Sequence, residues 1–159
     1  MADISAFPTK KVLTSGDLSL IQTPMGPTRK YKAAAAIKAG QIVIYGATAG
    51  EVTPAVGALT ERVCGYCADD YDSGDDVLVW MPGNIVRVVN FSTTVAIAQG
   101  VWLQTNDNAV LGTVNEIDLT EGATATQNVN IVGYAIEPIA VSSYGYAFLS
   151  TPIITVPPS

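Results

Sequence analysis

From Ile42 onward the apolar residues fall in short runs bounded by Gly, Pro, Asn and Asp, with Val, Ile, Tyr and Trp enriched. That is the pattern of strands, not the 3.6-residue period of a helix. It predicts strands over Gln41 to Tyr45, Glu61 to Ala68, Asp76 to Met81, Asn84 to Phe91, Gly100 to Gln104, Val129 to Ala135 and Tyr144 to Ser150. Pro82-Gly83 and Asn106-Asp107-Asn108 carry the chemistry of tight turns between them. Only Lys32 to Lys38, with four consecutive alanines, tempts toward a helix, and Gly40 limits it to one or two turns. Strands at this spacing without a long helix predict an all-β fold, a small barrel or sandwich.

The runs also repeat. Ile37-Lys-Ala-Gly-Gln-Ile-Val-Ile44 is echoed by Ile97-Ala-Gln-Gly-Val-Trp-Leu-Gln104. Val63-Cys-Gly-Tyr-Cys-Ala68, a loop and Asp76-Val-Leu-Val-Trp80 are echoed by Ile131-Val-Gly-Tyr-Ala-Ile136, a loop and Gly145-Tyr-Ala-Phe-Leu149. Two copies of one β unit follow, and closing one on the other into a barrel is the simplest expected arrangement.

Composition narrows the functions. The 159 residues suit one core, and 48% apolar with 14% charged suits a buried, turn-rich domain. There is no histidine, which removes Ser-His-Asp and Cys-His catalysis and histidine-ligated zinc. A net charge of −6 argues against nucleic acid as partner. The charge-free stretches Val88 to Asn106 and Pro138 to Ser159 are too polar or Pro-broken for a membrane span, so no membrane is expected. Met1 to Ser15 lacks the unbroken apolar run of a secretory signal, and synthesis in a cytoplasm is expected.

Charge is unevenly spread. Lys10, Lys11, Arg29, Lys30, Lys32 and Lys38 face only Asp3 and Asp17 in the first 38 residues, giving +4, whereas the remainder is −10. Pro8, Gly16, Pro24, Gly26 and Pro27 punctuate this basic segment. The expected organisation is an extended basic arm over residues 1–31, a β domain over 32–150 and a tail over 151–159.

Chemical constellations are weak. Asp69 to Asp76 holds five carboxylates in eight residues, but it does not follow the calcium-loop spacing and reads as a solvated hairpin tip. Cys64 and Cys67 lie in a β run, not at a helix start, and strand alternation sets residues three apart on opposite faces. They read as two separate small apolar residues. Trp80, Trp102, Tyr66, Tyr134, Tyr144 and Tyr146 suggest a sugar-stacking platform, with packing the favoured use. No catalytic, cofactor or metal site and no small-molecule substrate is assigned, which leaves a binding or structural protein.

The order Ile37 to Gly46, Val63 to Ala68, Ser73 to Val79, Gly83 to Val88, Ala96 to Trp102 and Ile131 to Ala135 resembles the capsid decoration, or cement, proteins of tailed bacterial and archaeal viruses. These are similar in kind to the lambda head decoration protein. The resemblance covers about Lys32 to Leu149 and implies a small β-barrel or β-tulip-like domain with an N-terminal arm. It further implies a homotrimer on the outer capsid surface of the virion, bound to the major capsid protein and stabilising the expanded shell. Charge and location nominate Lys10, Lys11, Leu18, Leu20, Arg29, Lys30 and Lys32 as capsid-binding arm residues. The charge-free C-terminus nominates Ile153, Ile154 and Val156 as the trimer seam. The alternative is a receptor- or glycan-binding β domain of a viral fibre or cell-surface protein.

Overall fold

The computed structural model describes residues 24–58, 61–106, 110–116 and 131–150. Among them are ten strands and no helix: β1 Thr28–Ala33, β2 Ile42–Tyr45, β3 Glu51–Pro54, β4 Val63–Tyr66, β5 Asp76–Trp80, β6 Ile85–Asn90, β7 Trp102–Thr105, β8 Val114–Glu116, β9 Ile131–Ala135 and β10 Ser143–Leu149. The fold is all-β. Lys32 to Lys38 is not helical: β1 runs through Ala33 and the chain then bends into a lone bridge at Ile37.

The repeat is real, but its two copies do not close on each other. Each closes on itself, β1-β3-β2-β4-β5 in the first barrel and β10-β6-β8-β7-β9 in the second. Both start with a strand that pairs parallel to the third of its unit and antiparallel to the fifth. Both carry a register shift at the same place, between Val43 and Ile44 and between Leu103 and Gln104. Both add an isolated bridge, Ile37 to Tyr71 and Ile97 to Ile139. The parallel return lets five short strands close, which leaves no open sheet edge to pair with the other unit.

Alternation sets the interior. β3 and β6 alternate half-buried and buried positions, so Val52, Val86 and Val88 face a core while Thr53 and Arg87 face outward. Tyr31, Ile37, Val43, Val52, Val77 and Val79 fill the first barrel together with Cys64 and Cys67. Val88, Ile97, Leu103, Val132, Ile139 and Leu149 fill the second. That second cluster continues into Ile42, Ala55, Tyr66 and Trp80 of the first unit, so the wall of one barrel is packed against the other. A buried aromatic ring hides roughly 150 to 250 Å², which at about 25 cal/mol/Å² gives an upper bound of about 4 to 6 kcal/mol each for Tyr66 and Trp80.

Polar contacts fix the junction. The Gly112 carbonyl accepts from Ile42 N–H at 3.0 Å and the Ala55 carbonyl from Gly112 N–H at 2.8 Å. The buried Glu61 carboxylate accepts from Val56 N–H at 3.1 Å, Gly57 N–H at 2.8 Å and Thr105 Oγ1 at 2.6 Å, reaching across to β7. At the Pro82-Gly83 turn between the barrels, buried Asn84 accepts from Gly26 N–H at 2.6 Å and donates to Pro27 O and Met81 O.

Candidate functional site

The basic residues nearest the body are strand residues. β1 begins at Thr28, so Arg29 and Lys30, assigned to the expected arm of residues 1–31, belong with Lys32 to the first barrel wall. Tyr31 and Ala33 are buried while Arg29, Lys30 and Lys32 are exposed. Lys32 Nζ lies 2.8 Å from Asp76 Oδ1, its register partner on β5, and 3.5 Å from the Gly74 carbonyl. Both side chains are exposed, so water screens the pair and it adds little to stability. The hydrogen bond and charge of Lys32 hold the Asp76 carboxyl below its ordinary range. Lys30 faces Leu78 in register, and the Arg29 guanidinium lies 5.6 Å from the Tyr31 ring centroid. Among the described residues Arg29 and Lys30 take part in no ion pair, so their charge is open to a partner.

Carboxylates of the acidic loop are engaged by nearby backbone and lysines. Asp70 accepts from Ala39 N–H at 2.7 Å and pairs with Lys38 at 3.5 Å, which hold its carboxyl low, while Asp75 accepts from Asp72 N–H at 2.9 Å. Among the described residues no three Asp, Glu, Cys or His side chains converge as a metal site would require.

Cys64 and Cys67 depart from the expected opposite faces, since both are free thiols buried in the first barrel core. The strand ends at Tyr66 and the chain turns, Cys67 N–H donating to the Gln41 carbonyl, which swings the second thiol back inside. Burial pushes the Cys67 thiol up to about 12 and the Cys64 thiol upward too, so neither is a nucleophile near neutrality. Cys64 lies beside Tyr31 and Tyr45, which offset part of that rise, and the two rings meet edge-to-face at 6.1 Å.

The aromatic residues divide. Tyr66, Trp80 and Tyr146 are buried, as packing requires. Trp102 is 39% exposed and Tyr144 is 54% exposed, with the Arg87 guanidinium 4.0 Å from the Tyr144 ring centroid. Trp102, half-buried Tyr134 and half-buried Phe148 form a continuous outer row, with ring centroids 5.6 Å and 5.5 Å apart. Phe148 was visible in sequence only as a member of the last predicted strand. Lys10, Lys11, Leu18 and Leu20 of the arm and Ile153, Ile154 and Val156 of the tail lie outside the described residues.

The family model for phage cement protein matches residues 22–144, most of the chain and both barrels. The chain belongs to the phage cement protein family. It is a structural protein of the virion, associated with the capsid. Among solved structures it is similar to the N base of the head fiber protein gp8.5 of bacteriophage phi29, at 18% identity and a TM-score of 0.54, over 80% of this chain and 97% of that one. That similarity is one of fold. No curated protein sequence matches this cement-family chain.

Proposed function

We propose that this cement-family protein binds the outer face of the expanded shell as a homotrimer, fastened to the major capsid protein by the segment preceding β1 together with the cations of β1, and that it carries out no catalysis. Family membership over residues 22–144 carries the reading. The open cations at the start of the first barrel support the place of attachment. Lys32 is already engaged with Asp76, which leaves Lys10, Lys11, Arg29 and Lys30. At about 0.2 to 1 kcal/mol for each exposed pair, these four supply at most about 4 kcal/mol, against about 8 kcal/mol for a micromolar complex. Charge is therefore the smaller share. The rest comes from arm packing through Leu18 and Leu20, from backbone pairing with a capsid sheet edge, and from three arms acting in one assembly.

Removing residues 1–25 tests this. It leaves Gly26 and Pro27 on the Asn84 cluster, so the truncated protein is expected to stay folded and to lose sedimentation with capsids. Replacing Lys10, Lys11 and Arg29 with Ser is expected to weaken binding in a salt-dependent way without abolishing it. Full occupancy by the truncated protein would place the capsid contact on the barrels.

A further inference from the structure

The two barrels carry the same outward row of side chains, and only one of the rows is covered. In the first, Ile42 pairs in register with Tyr66, and Tyr66 with Trp80. In the second, Trp102 pairs with Tyr134, and Tyr134 with Phe148. Ile42, Tyr66 and Trp80 are 0%, 6% and 3% exposed because they pack into the cluster of the second barrel. Their counterparts are more open, with Trp102 39% exposed and Tyr134 and Phe148 half-buried. Contiguous exposed aromatic side chains mark association surfaces.

What lies over the first row shows what fits the second. The Tyr66 hydroxyl sits against the backbone of Arg87 and near Tyr146. Arg87 and Tyr146 are register partners on β6 and β10, and Tyr146 shares the outward face of β10 with Tyr144 yet is 2% exposed. The registers Thr28 to Trp80 and Ile85 to Phe148 align the two barrels. They make Lys30 and Leu78 the equivalents of Arg87 and Tyr146, and these too are register partners. Lys30 is exposed and Leu78 half-buried.

We propose that the open row of Trp102, Tyr134 and Phe148 seats on the Lys30 and Leu78 face of a second copy of this chain, repeating between copies the contact that joins the barrels within one. The two faces differ, so the contact is head-to-tail and closes into a ring if its rotation allows. Leu78 packs against the rings and the Lys30 ammonium lies over one of them. Lys30 then serves the neighbouring copy, and the capsid keeps Lys10, Lys11 and Arg29. The contact supplies a seam for the trimer proposed above and rests on that reading only for the number of copies in the ring.

The test uses the full chain without capsids. Native mass at micromolar concentration is expected to exceed that of one chain. Of the two tryptophans, Trp80 is already buried, so rising concentration is expected to shield Trp102 alone from acrylamide quenching. Trp102→Glu, and separately the double variant Lys30→Glu with Leu78→Glu, are each expected to weaken assembly by about tenfold or more. Each variant keeps one intact face, so mixing them is expected to yield a two-chain complex. Should Trp102→Glu lose its β-sheet spectrum, Trp102→Thr and Lys30→Glu alone decide by the same loss of assembly. A wild-type monomer at micromolar concentration, wild-type assembly by folded Trp102→Glu, or failure of two folded variants to pair overturns the proposal, and capsid binding can survive any of these results.

Discussion

At Cys67 and Tyr66 burial favours the neutral side chain, pushing each group up to about 12 from ordinary values of 9.0 and 10.0. Above pH 9 the unfolded chain gives up the Cys67 proton while the native barrel holds it, so native stability falls as pH rises toward 12. The slope from one such group is about 1.4 kcal/mol per pH unit. Urea melts are expected to be insensitive to these groups below pH 9 and to lose midpoint steadily above it, with a shallower loss in Cys67→Ala. A midpoint unchanged to pH 11 would show that neither group is held neutral. Gly65 and Gly133 make a second prediction at this scale. A Cβ on Gly65 would strike the Trp80 carbonyl oxygen, and one on Gly133, where φ is +154°, would strike the Phe148 carbonyl oxygen. These are equivalent positions, and in each the absent side chain admits the backbone of the last strand of its barrel. Gly133→Ala is expected to cost at least the 1 to 3 kcal/mol typical of overpacking, about as much as Gly65→Ala, read by denaturant melts.

Among the elements, Glu61 is the joint. Its carboxylate holds two backbone N–H groups of one barrel and Thr105 of the other, and bonds to a charged group contribute roughly 1.5 to 3 kcal/mol each. Glu61→Ala is expected to lower stability by about 3 kcal/mol or more, and Thr105→Val by about 1 kcal/mol. Equal small effects would mean the joint is held by packing alone. The strands that sequence made legible are those with an apolar run bounded by turn residues: β2, β4, β5, β6, β7, β9 and β10. β1 hid because its outward positions are Thr and Lys, which read as a solvated arm; β3 ends in Pro54 and β8 has three residues, too few to show alternation. The Cys64 and Cys67 thiols share one core because β4 ends between them, and strand alternation says nothing past a strand end. The open aromatic row was equally illegible, since Trp102, Tyr134 and Phe148 come from three strands and only their register unites them.

At the scale of the molecule, one β unit used twice gives two closed barrels with different surroundings. The first barrel carries the cations of β1 and the acidic turn, and hides its aromatic row. The second leaves its aromatic row open and has no cation in its wall except Arg87, among the described residues. Under the proposals above, this polarity gives one face to the shell and one to a neighbouring copy, both from a single repeat. Copy number on the particle tests that claim most directly. Purified chain added to expanded capsids stripped of it should saturate at a fixed occupancy of hundreds of copies, arranged in threes over the outer surface, as counted by quantitative gel and seen in cryo-electron micrographs. Binding to a few unique sites, or none at saturating concentration, would contradict the account.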